Sequence, residues 1–363
     1  MRLIIRDDAL AASTYVANYI IDRIRAFNPS AQHPFVLGLP TGSTPQGVYK
    51  ILVERYKAGE ISFEHVVTFN MDEYVGIPRD DAESYHSFMY KHFFSHVNVD
   101  PSNVHILDGN AANLEAECVA FEDAIKAAGG IDLFLAGIGE DGHLAFNEPG
   151  SSLASRTRVK TLAYETILAN SRFFGNDVTK VPRMALTVGV QTVLEAREVV
   201  VVILGQRKSI ALQRCVEQGV NHMWTLSSLQ LHPHPMIVVD EDATLELQVK
   251  TVKYFKSIEK IALEEGFEQI LPSKVRTGIG SSVPETRIHS LDDFDGPDPS
   301  ILAPQPTTSR LLRATPATEY PIRSVSPDLV PDRMASRIPE PNLSMRLTPK
   351  PELQLTPHNA IKA

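Results

Sequence analysis

The densest group of side chains that could do chemistry lies in residues 131–150, IDLFLAGIGEDGHLAFNEPG. An apolar run long enough for a buried strand ends there in glycines, and Asp141, His143 and Glu148 follow closely. In open α/β sheets, ligands bind beyond the carboxyl ends of the strands. Burial and neighbouring like charges at such an edge shift pKa values toward those that catalysis needs. The stretch therefore predicts a catalytic site.

The spacing Gly137-x-Gly139-x-x-Gly142 also fits the dinucleotide-binding pattern. That pattern needs a helix that opens on its third glycine and an acidic residue about 20 residues further on. Glu148-Pro149 disfavours a helix through this region, and basic residues occupy the later positions: Arg156, Arg158 and Lys160. We therefore expect no nicotinamide cofactor here, and an inert polar loop is the alternative that this stretch alone leaves open.

A second polar loop follows a predicted strand at Phe35–Leu39. Thr44 is a good N-cap for the next helix and Pro45 a good first helical residue. Free amides at a helix N-terminus and the helix dipole both favour an anion. The loop therefore predicts a phosphate site at Gly42, Ser43 and Thr44, although an ordinary strand-to-helix turn uses the same residue types.

Three more candidate groups lie near strand ends or in polar loops. Asp72 follows a predicted strand at 66–69 and is either a base or the cap of the next turn. Lys208 follows a predicted strand at 199–204, close to the start of a helix, and Arg172 lies in a polar loop. The cations among residues 151–161 indicate either a second anion site or a solvated surface.

The elements that must position these groups alternate between strands and helices along the chain. Five or more such strands predict an α/β fold, with a doubly wound, mostly parallel sheet and helices on both faces, as in Rossmann-like proteins. The carboxyl ends of parallel strands share one edge. We therefore expect a single site assembled from Ser43, Asp72, residues 141–148 and Lys208.

Composition divides the chain in two. Fifteen of the 25 prolines lie in residues 272–363, a segment that is also rich in serine and threonine. A segment without sustained apolar periodicity cannot offset its ordering entropy by burial. We expect residues 1–265 to form the catalytic domain and residues 266–363 a disordered tail.

Charge and cysteine content exclude several functional classes. The net charge of −9 argues against a general nucleic-acid-binding protein, so a phosphate-bearing ligand needs a local group of cations. The two cysteines provide no disulfide framework. No apolar run approaches the 18 to 20 residues of a membrane span. We expect a soluble cytoplasmic protein. The prolines beside His232 and His234 indicate a rigid turn rather than a metal site.

Carboxylates, a histidine and a phosphate cradle suit proton transfer on a sugar phosphate. An aldose must open its ring, which needs a group that moves a proton between O5 and O1, and histidine titrates in the right range. A separate carboxylate must then take the proton from C2. Neither step requires a metal ion or a redox cofactor.

Four sequence strings resemble the glucosamine-6-phosphate deaminase family. They are LGLPTGSTP at 37–45, VTFNMDEYVG at 67–76, GxGxDGHLAFNEPxSSLASRTRVKTL at 137–162 and VNHMWTLSxLQLHP at 220–233. The resemblance covers nearly all of residues 1–260. It implies that glucosamine 6-phosphate and water are converted to fructose 6-phosphate and ammonia.

The same resemblance implies individual roles. Asp72 would move the C2 proton to C1, and His143 would open the ring with Asp141 and Glu148 orienting it. The residues implied for substrate phosphate binding are Gly42, Ser43, Thr44, Arg172 and Lys208.

Some family members have an allosteric site for N-acetylglucosamine 6-phosphate at a subunit interface of a homohexamer. Its positions are filled here by Ser151, Arg158, Lys160, Thr161 and Tyr254. The resemblance therefore implies activation by that sugar phosphate.

Two other functions are compatible with parts of this pattern. A 6-phosphogluconolactonase resembles the chain around its Gly-x-Gly-x-Asp-Gly-His loop, but Asp72 and Glu148 favour the deaminase. A non-catalytic sugar-phosphate sensor would keep the phosphate cradle and lose catalytic acids, whereas Asp72, Asp141, His143 and Glu148 are all present.

Overall fold

The computed structural model describes residues 1–267. The expected disordered tail lies outside these described residues, apart from its first two positions. Within them there are ten strands: β1 (Arg2–Arg6), β2 (Phe35–Leu39), β3 (Val66–Asn70), β4 (Asp72–Tyr74), β5 (Val104–His105), β6 (Leu133–Ala136), β7 (Arg158–Thr161), β8 (Met184–Thr187), β9 (Glu198–Ile203) and β10 (Pro235–Asp240).

Eight α-helices connect these strands in the described part of the chain. They are α1 (Ala9–Phe27), α2 (Ser43–Lys57), α3 (Tyr85–His92), α4 (Leu114–Ala127), α5 (Tyr164–Asn170), α6 (Val190–Leu194), α7 (Ser209–Glu217) and α8 (Val249–Glu264).

Seven strands form one parallel sheet in the order β1-β10-β9-β6-β2-β3-β5. Both faces of this sheet are covered. In β9, Val200 and Val202 pack into a core shared with α1 and α2, whereas Val199 and Val201 pack into a core shared with α4 and α7. Burial on both faces explains the uninterrupted apolar runs of the central strands. The predicted doubly wound α/β fold is confirmed.

The first helix shows how local sequence sets these elements. The Asp8 carboxylate accepts a hydrogen bond from the Ala11 amide at 2.7 Å and so caps α1. Val16, Ile20 and Ile24 recur at helical spacing and are all buried against the sheet. Asn28 then ends the helix in the left-handed conformation.

Strand β8 lies outside the parallel sheet. It is the central strand of a small antiparallel sheet with the order β4-β8-β7. The chain leaves β3 at Asn70, and after a single residue it pairs with β8, so that Asp72 lies opposite Thr187. This switch between sheets holds Asp72 just beyond the carboxyl end of β3.

The last helix, α8, begins at Val249, and residues 242–244 before it form a separate 3-10 turn. Val252 and Phe255 pack against the core, but Ile258 is 46% exposed. No helix in the part of the chain that the structure describes is long and apolar enough to cross a membrane.

Gly38 offers a test of how tightly the sheet packs against its neighbours. A Cβ atom at this buried position would lie 2.3 Å from the ring of Phe134 in the adjacent strand. We expect Gly38→Ala to lower the free energy of unfolding by about 1–3 kcal/mol, because a packed core resists overfilling. Urea denaturation measures the change.

The matched control is Gly219→Ala, since a Cβ atom at exposed Gly219 meets nothing within 4 Å. Equal stability of the two variants would contradict the predicted overpacking.

Candidate active site

A cavity of about 890 Å³ opens at the carboxyl edge of the parallel sheet. Its walls come from the segments that follow β2, β3, β6 and β9, and from α3 and α5. Most of the residues predicted for one site line this cavity: Gly42, Ser43, Thr44, Asp72, Asp141, His143, Arg172 and Lys208. The described fold therefore brings together side chains that lie up to 166 positions apart, from Gly42 to Lys208.

The phosphate cradle differs in detail from the prediction. The cap residue of α2 is Gly42 rather than Thr44, with φ of 102°, and it supplies no side-chain acceptor. Glycine tolerates this backbone conformation, so the chain turns into the helix before Ser43. Ser43 and Thr44 thus belong to the first helical turn, where amides have no intrahelical partner. Those amides and the helix dipole favour an anion in the cavity.

Lys208 reaches the same cradle from the other side of the cavity. Its Nζ donates a hydrogen bond to Oγ1 of Thr44 at 3.0 Å. Burial lowers the pKa of Lys208 to about 8, and Arg172 acts in the same direction, while Glu140 acts against it. Each of these two cations disfavours the charge of the other. An anion bound in the cavity would stabilise both charges.

Asp72 is buried, with 7% of its surface exposed, although it lines the cavity. Burial and, to a smaller extent, the charge of Glu73 together raise the pKa of its carboxyl to about 8. A carboxylate that holds a proton this strongly is also a strong base once it ionises. Asp72 can therefore accept and return a proton near neutral pH.

His143 forms a close pair with Asp141. Its Nδ1 lies 2.6 Å from Oδ1 of Asp141, and its backbone amide donates to the same oxygen at 3.3 Å. Burial raises the pKa of Asp141, but these hydrogen bonds and the charge of His143 outweigh it and lower the net pKa. The pair fixes the ring with Nε2 as its remaining nitrogen for proton transfer.

The glycines before His143 allow close packing. A Cβ atom at Gly139 would lie 2.3 Å from the His143 ring, and one at Gly142 would lie 2.8 Å from Trp224. Gly142 also has φ of 75°. No helix forms in residues 137–150, so these residues lack the helix that the dinucleotide-binding pattern needs on its third glycine.

Glu148 is buried, and the hydrogen bonds of its side chain run to α5. Its Oε1 accepts hydrogen bonds from the Ala163 amide at 2.8 Å and from the Thr166 hydroxyl at 2.6 Å. These contacts tie Glu148 to the start of α5. The segment that follows α5 carries Arg172 into the cavity wall, so Glu148 and Arg172 lie near opposite ends of this helix.

Three residues of the implied allosteric site surround the segment 147–148. The Ser151 amide donates to the Glu148 carbonyl at 3.1 Å. Arg158 donates to Oδ1 of Asn147 at 2.9 Å, and Nζ of Lys160 lies 4.0 Å from Oε2 of Glu148. Burial lowers the pKa of Arg158.

The other two residues of that implied site are exposed. Thr161 ends β7, and Tyr254 lies on α8, where 60% of its surface is exposed and its ring contacts Phe255. Because α8 packs along β1 at the far edge of the parallel sheet, the described protomer does not itself bring Tyr254 to β7.

Aromatic side chains of α3 form one wall of the cavity. Met89 and Phe93, in the apolar stripe of residues 84–94, are fully buried. Tyr85 and Phe88, in the same stripe, pack against the core and also line the cavity. Helical spacing predicts which face is apolar, but not whether that face covers the core or a ligand.

The histidine turn is structural in the described fold. His232 is buried, its Nε2 lies 2.7 Å from the Ala196 carbonyl, and its Nδ1 accepts from the His234 amide at 3.0 Å. Both ring nitrogens are occupied, which agrees with the prediction of a rigid turn rather than a metal site.

Comparison with known sequences now complements this geometry. Residues 7–244 match the profile of the family described as glucosamine-6-phosphate isomerases/6-phosphogluconolactonase. The chain belongs to this family.

Its relatives include glucosamine-6-phosphate deaminase 1 of Bos taurus, which is 65% identical over 258 residues, 71% of this chain and 89% of that protein. Glucosamine-6-phosphate deaminase of Aedes aegypti is 61% identical over 269 residues, 73% of this chain and 97% of that protein. The resemblance stated from the four strings is confirmed.

Solved structures agree with the fold. A monomeric glucosamine-6-phosphate deaminase is 37% identical with a TM-score of 0.64, covering 67% of this chain and 98% of its own. The 6-phosphogluconolactonase of Trypanosoma cruzi has a TM-score of 0.54 over 68% of this chain and 97% of its own, at 19% identity. The second likeness concerns the fold alone.

The geometry of Lys208 predicts a pH-dependent anion site. We expect inorganic sulfate, which does not titrate in this range, to bind more weakly as pH rises through about 8, because Lys208 then loses its charge. Lys208→Ala should weaken binding at pH 7 by about 1.5–3 kcal/mol, the contribution of a charged hydrogen bond. Isothermal titration calorimetry measures both effects.

Lys260→Ala is the control, since the Lys260 side chain is 76% exposed on α8. Sulfate affinity that is independent of pH, or equal in Lys208→Ala and the unsubstituted protein, would contradict this site.

Proposed function

We propose that the chain converts glucosamine 6-phosphate and water to fructose 6-phosphate and ammonia. The observation that carries the proposal is the placement of buried Asp72 and the Asp141–His143 pair in one cavity with the Lys208 cradle. The cradle binds the phosphate end of the sugar. The reacting carbons C1 and C2 then extend toward the two acid–base groups.

Ring opening is the first step. His143 transfers a proton between O1 and O5 as the C1–O5 bond breaks, which leaves an aldehyde at C1. Nδ1 of His143 is held by Asp141, so Nε2 exchanges the proton. A carboxylate beside an imidazole fixes its orientation and stabilises the protonated form.

Proton transfer between the two carbons follows. Asp72 removes the proton from C2, the electrons move to O1, and O1 takes up a proton that the ammonium group on C2 releases, which gives an enol that carries the amino group. Asp72 then returns its proton to C1. Carbon 1 becomes a CH₂OH group and carbon 2 becomes an imine. One carboxylate can both remove and return the proton, because its raised pKa lets it hold the proton between the two steps.

Hydrolysis completes the reaction. Water adds to the C2 imine, the C2–N bond breaks, and nitrogen leaves as ammonia, which gives the ketone of fructose 6-phosphate. All electrons stay within the sugar and water, so the proposed chemistry uses no redox cofactor. Family membership and the deaminase relatives support this reaction over lactone hydrolysis.

The first test is ammonia release from glucosamine 6-phosphate by the purified chain, with fructose 6-phosphate measured in parallel and no metal added. We expect equal amounts of both products. Asp72→Asn should lower turnover by about 10²- to 10⁴-fold, the usual loss when a general base is removed. Binding of fructose 6-phosphate, measured by calorimetry, should persist.

Asp123→Asn is the control, because the Asp123 side chain is 64% exposed on α4. If no ammonia appears, 6-phosphogluconolactone is the next substrate, and its hydrolysis would identify a lactonase. Tight sugar-phosphate binding without turnover of either compound would identify a sensor.

We further propose that N-acetylglucosamine 6-phosphate activates the enzyme at a second site, and that the chain works as a homo-oligomer, a homohexamer as the family resemblance implies. Support comes from the half-buried Arg158 and from the Ser151 hydroxyl, which is buried without a hydrogen-bond partner. Exposed Tyr254 can join these residues only from another subunit. Lys160 lies near Glu148, which holds α5 and hence the phosphate side of the cavity.

Activation should appear as a higher rate at low substrate concentration when the acetylated sugar phosphate is added. Tyr254→Ala should weaken this activation, because the ring no longer completes the second site, while Lys250→Ala on exposed α8 should retain it. Light scattering measures the oligomer. A monomer whose rate ignores the acetylated sugar would contradict both proposals.

A cytoplasmic location is also proposed. Cys118 and Cys215 are both buried and unpaired, as expected in a reducing compartment.

A further inference from the structure

Glu73 is a buried carboxylate that the proposed mechanism does not use. It follows Asp72 directly in β4, and only 5% of its surface is exposed. Successive side chains of a strand point to opposite faces. Asp72 lines the cavity, whereas Glu73 lies behind it in a small cleft with Arg79, His86 and Asp108.

The Glu73 carboxylate accepts three backbone hydrogen bonds. Its Oε1 accepts from the amides of Tyr74 at 2.8 Å and Tyr85 at 3.0 Å, and its Oε2 accepts from the amide of His86 at 2.9 Å. Tyr85 and His86 are the first two residues of α3. A side chain twelve residues away in the sequence thus satisfies amides that a helix start leaves without partners.

The remaining amides at the start of α3 are satisfied locally. The Ser84 hydroxyl accepts from the Ser87 amide at 3.0 Å, and the Ser84 carbonyl accepts from the Phe88 amide at 3.0 Å. Ser84 therefore supplies the ordinary cap, and Glu73 supplies a second, long-range one. This second cap fixes where α3 begins relative to β4.

We propose that Glu73 is a positioning residue of the active site, which ties the strand that carries Asp72 to the helix that carries Tyr85 and places a fixed negative charge behind Asp72. The proposal rests on the proposed function, because it concerns the base of that reaction. Glu73 itself contacts no part of the cavity where substrate would react.

The fixed charge has a definite effect on the base. A like charge close to a carboxylate disfavours its ionised form. Glu73 accordingly adds to the effect of burial in raising the pKa of Asp72 to about 8. The other groups that face Asp72 are the phenols of Tyr49, Tyr74 and Tyr85, whose own pKa values are raised above the usual range by burial and by this carboxylate.

The surroundings of Glu73 act on its charge in both directions. Burial raises the pKa of Glu73 above its usual value, although the three backbone amides and the charge of Arg79 act in the opposite direction. His86, which shares the cleft, has a pKa lowered by burial and by Arg79. The amides and Arg79 thus offset part of the effect of burial on the Glu73 anion.

The test is Glu73→Gln, which removes the charge and keeps nearly the same shape. Its amide oxygen can still accept from Tyr74 and Tyr85. We expect the acidic limb of kcat/KM against pH, which rises as Asp72 ionises, to move to lower pH by roughly half to one unit. Glu64→Gln, at an exposed position before β3, should leave that limb unchanged.

A direct titration of the Asp72 carboxyl separates this proposal from the proposed reaction. Carbon-13 NMR of labelled aspartate, assigned with Asp72→Asn, should show a lower pKa for Asp72 in Glu73→Gln even if another substrate is the true one. A pKa of Asp72 that is the same in Glu73→Gln and the unsubstituted protein would overturn the proposal, whatever the reaction.

Glu73→Asp provides the test if Glu73→Gln does not fold. It keeps the charge but shortens the side chain, so the amides of Tyr85 and His86 lose their acceptor. We expect kcat to fall because the Tyr85 wall loosens, while the acidic limb stays where it is in the unsubstituted protein. An acidic limb that moves to lower pH despite the retained charge would contradict the charge effect.

Discussion

The switch of the chain between two sheets at Met71 is the constraint on which the site depends. The Met71 amide donates to the Leu39 carbonyl of β2 at 3.1 Å, and its carbonyl accepts from the Val188 amide beyond β8 at 2.8 Å. One residue is thus bonded to the parallel sheet and to the segment that follows the antiparallel strand. Because both bonds fix the backbone, the next side chain, Asp72, is held out of water at the edge where ligands bind.

The pKa values of two aspartate side chains in this cavity are shifted in opposite directions. Burial and Glu73 raise the pKa of Asp72, whereas His143 lowers the net pKa of Asp141. When the surroundings of two neighbouring acids separate their pKa values, the two acids can take different roles in proton transfer. Asp72 can then carry a proton, while Asp141 stays ionised and orients the imidazole.

The candidate anion site has a different electrostatic requirement, since the chain carries a net charge of −9. Lys208 and Arg172 come from separate loops, each disfavours the charge of the other, and both line the cavity at which α2 begins. An anion bound there would offset the repulsion between the two cations. Glu148 contacts the start of α5, and the chain leads from the end of this helix to Arg172.

The sequence by itself determined the α/β class, most strand positions and the shared edge, because apolar runs and glycine loops are local signals. It also placed Asp72, His143 and Lys208 on that edge. Tertiary structure alone decided that β8 joins a second sheet, that α2 begins at Ser43, and that Glu148 contacts α5. It likewise decided that Glu73 caps α3. These features depend on contacts between residues far apart in the chain, and periodicity carries no information about such partners.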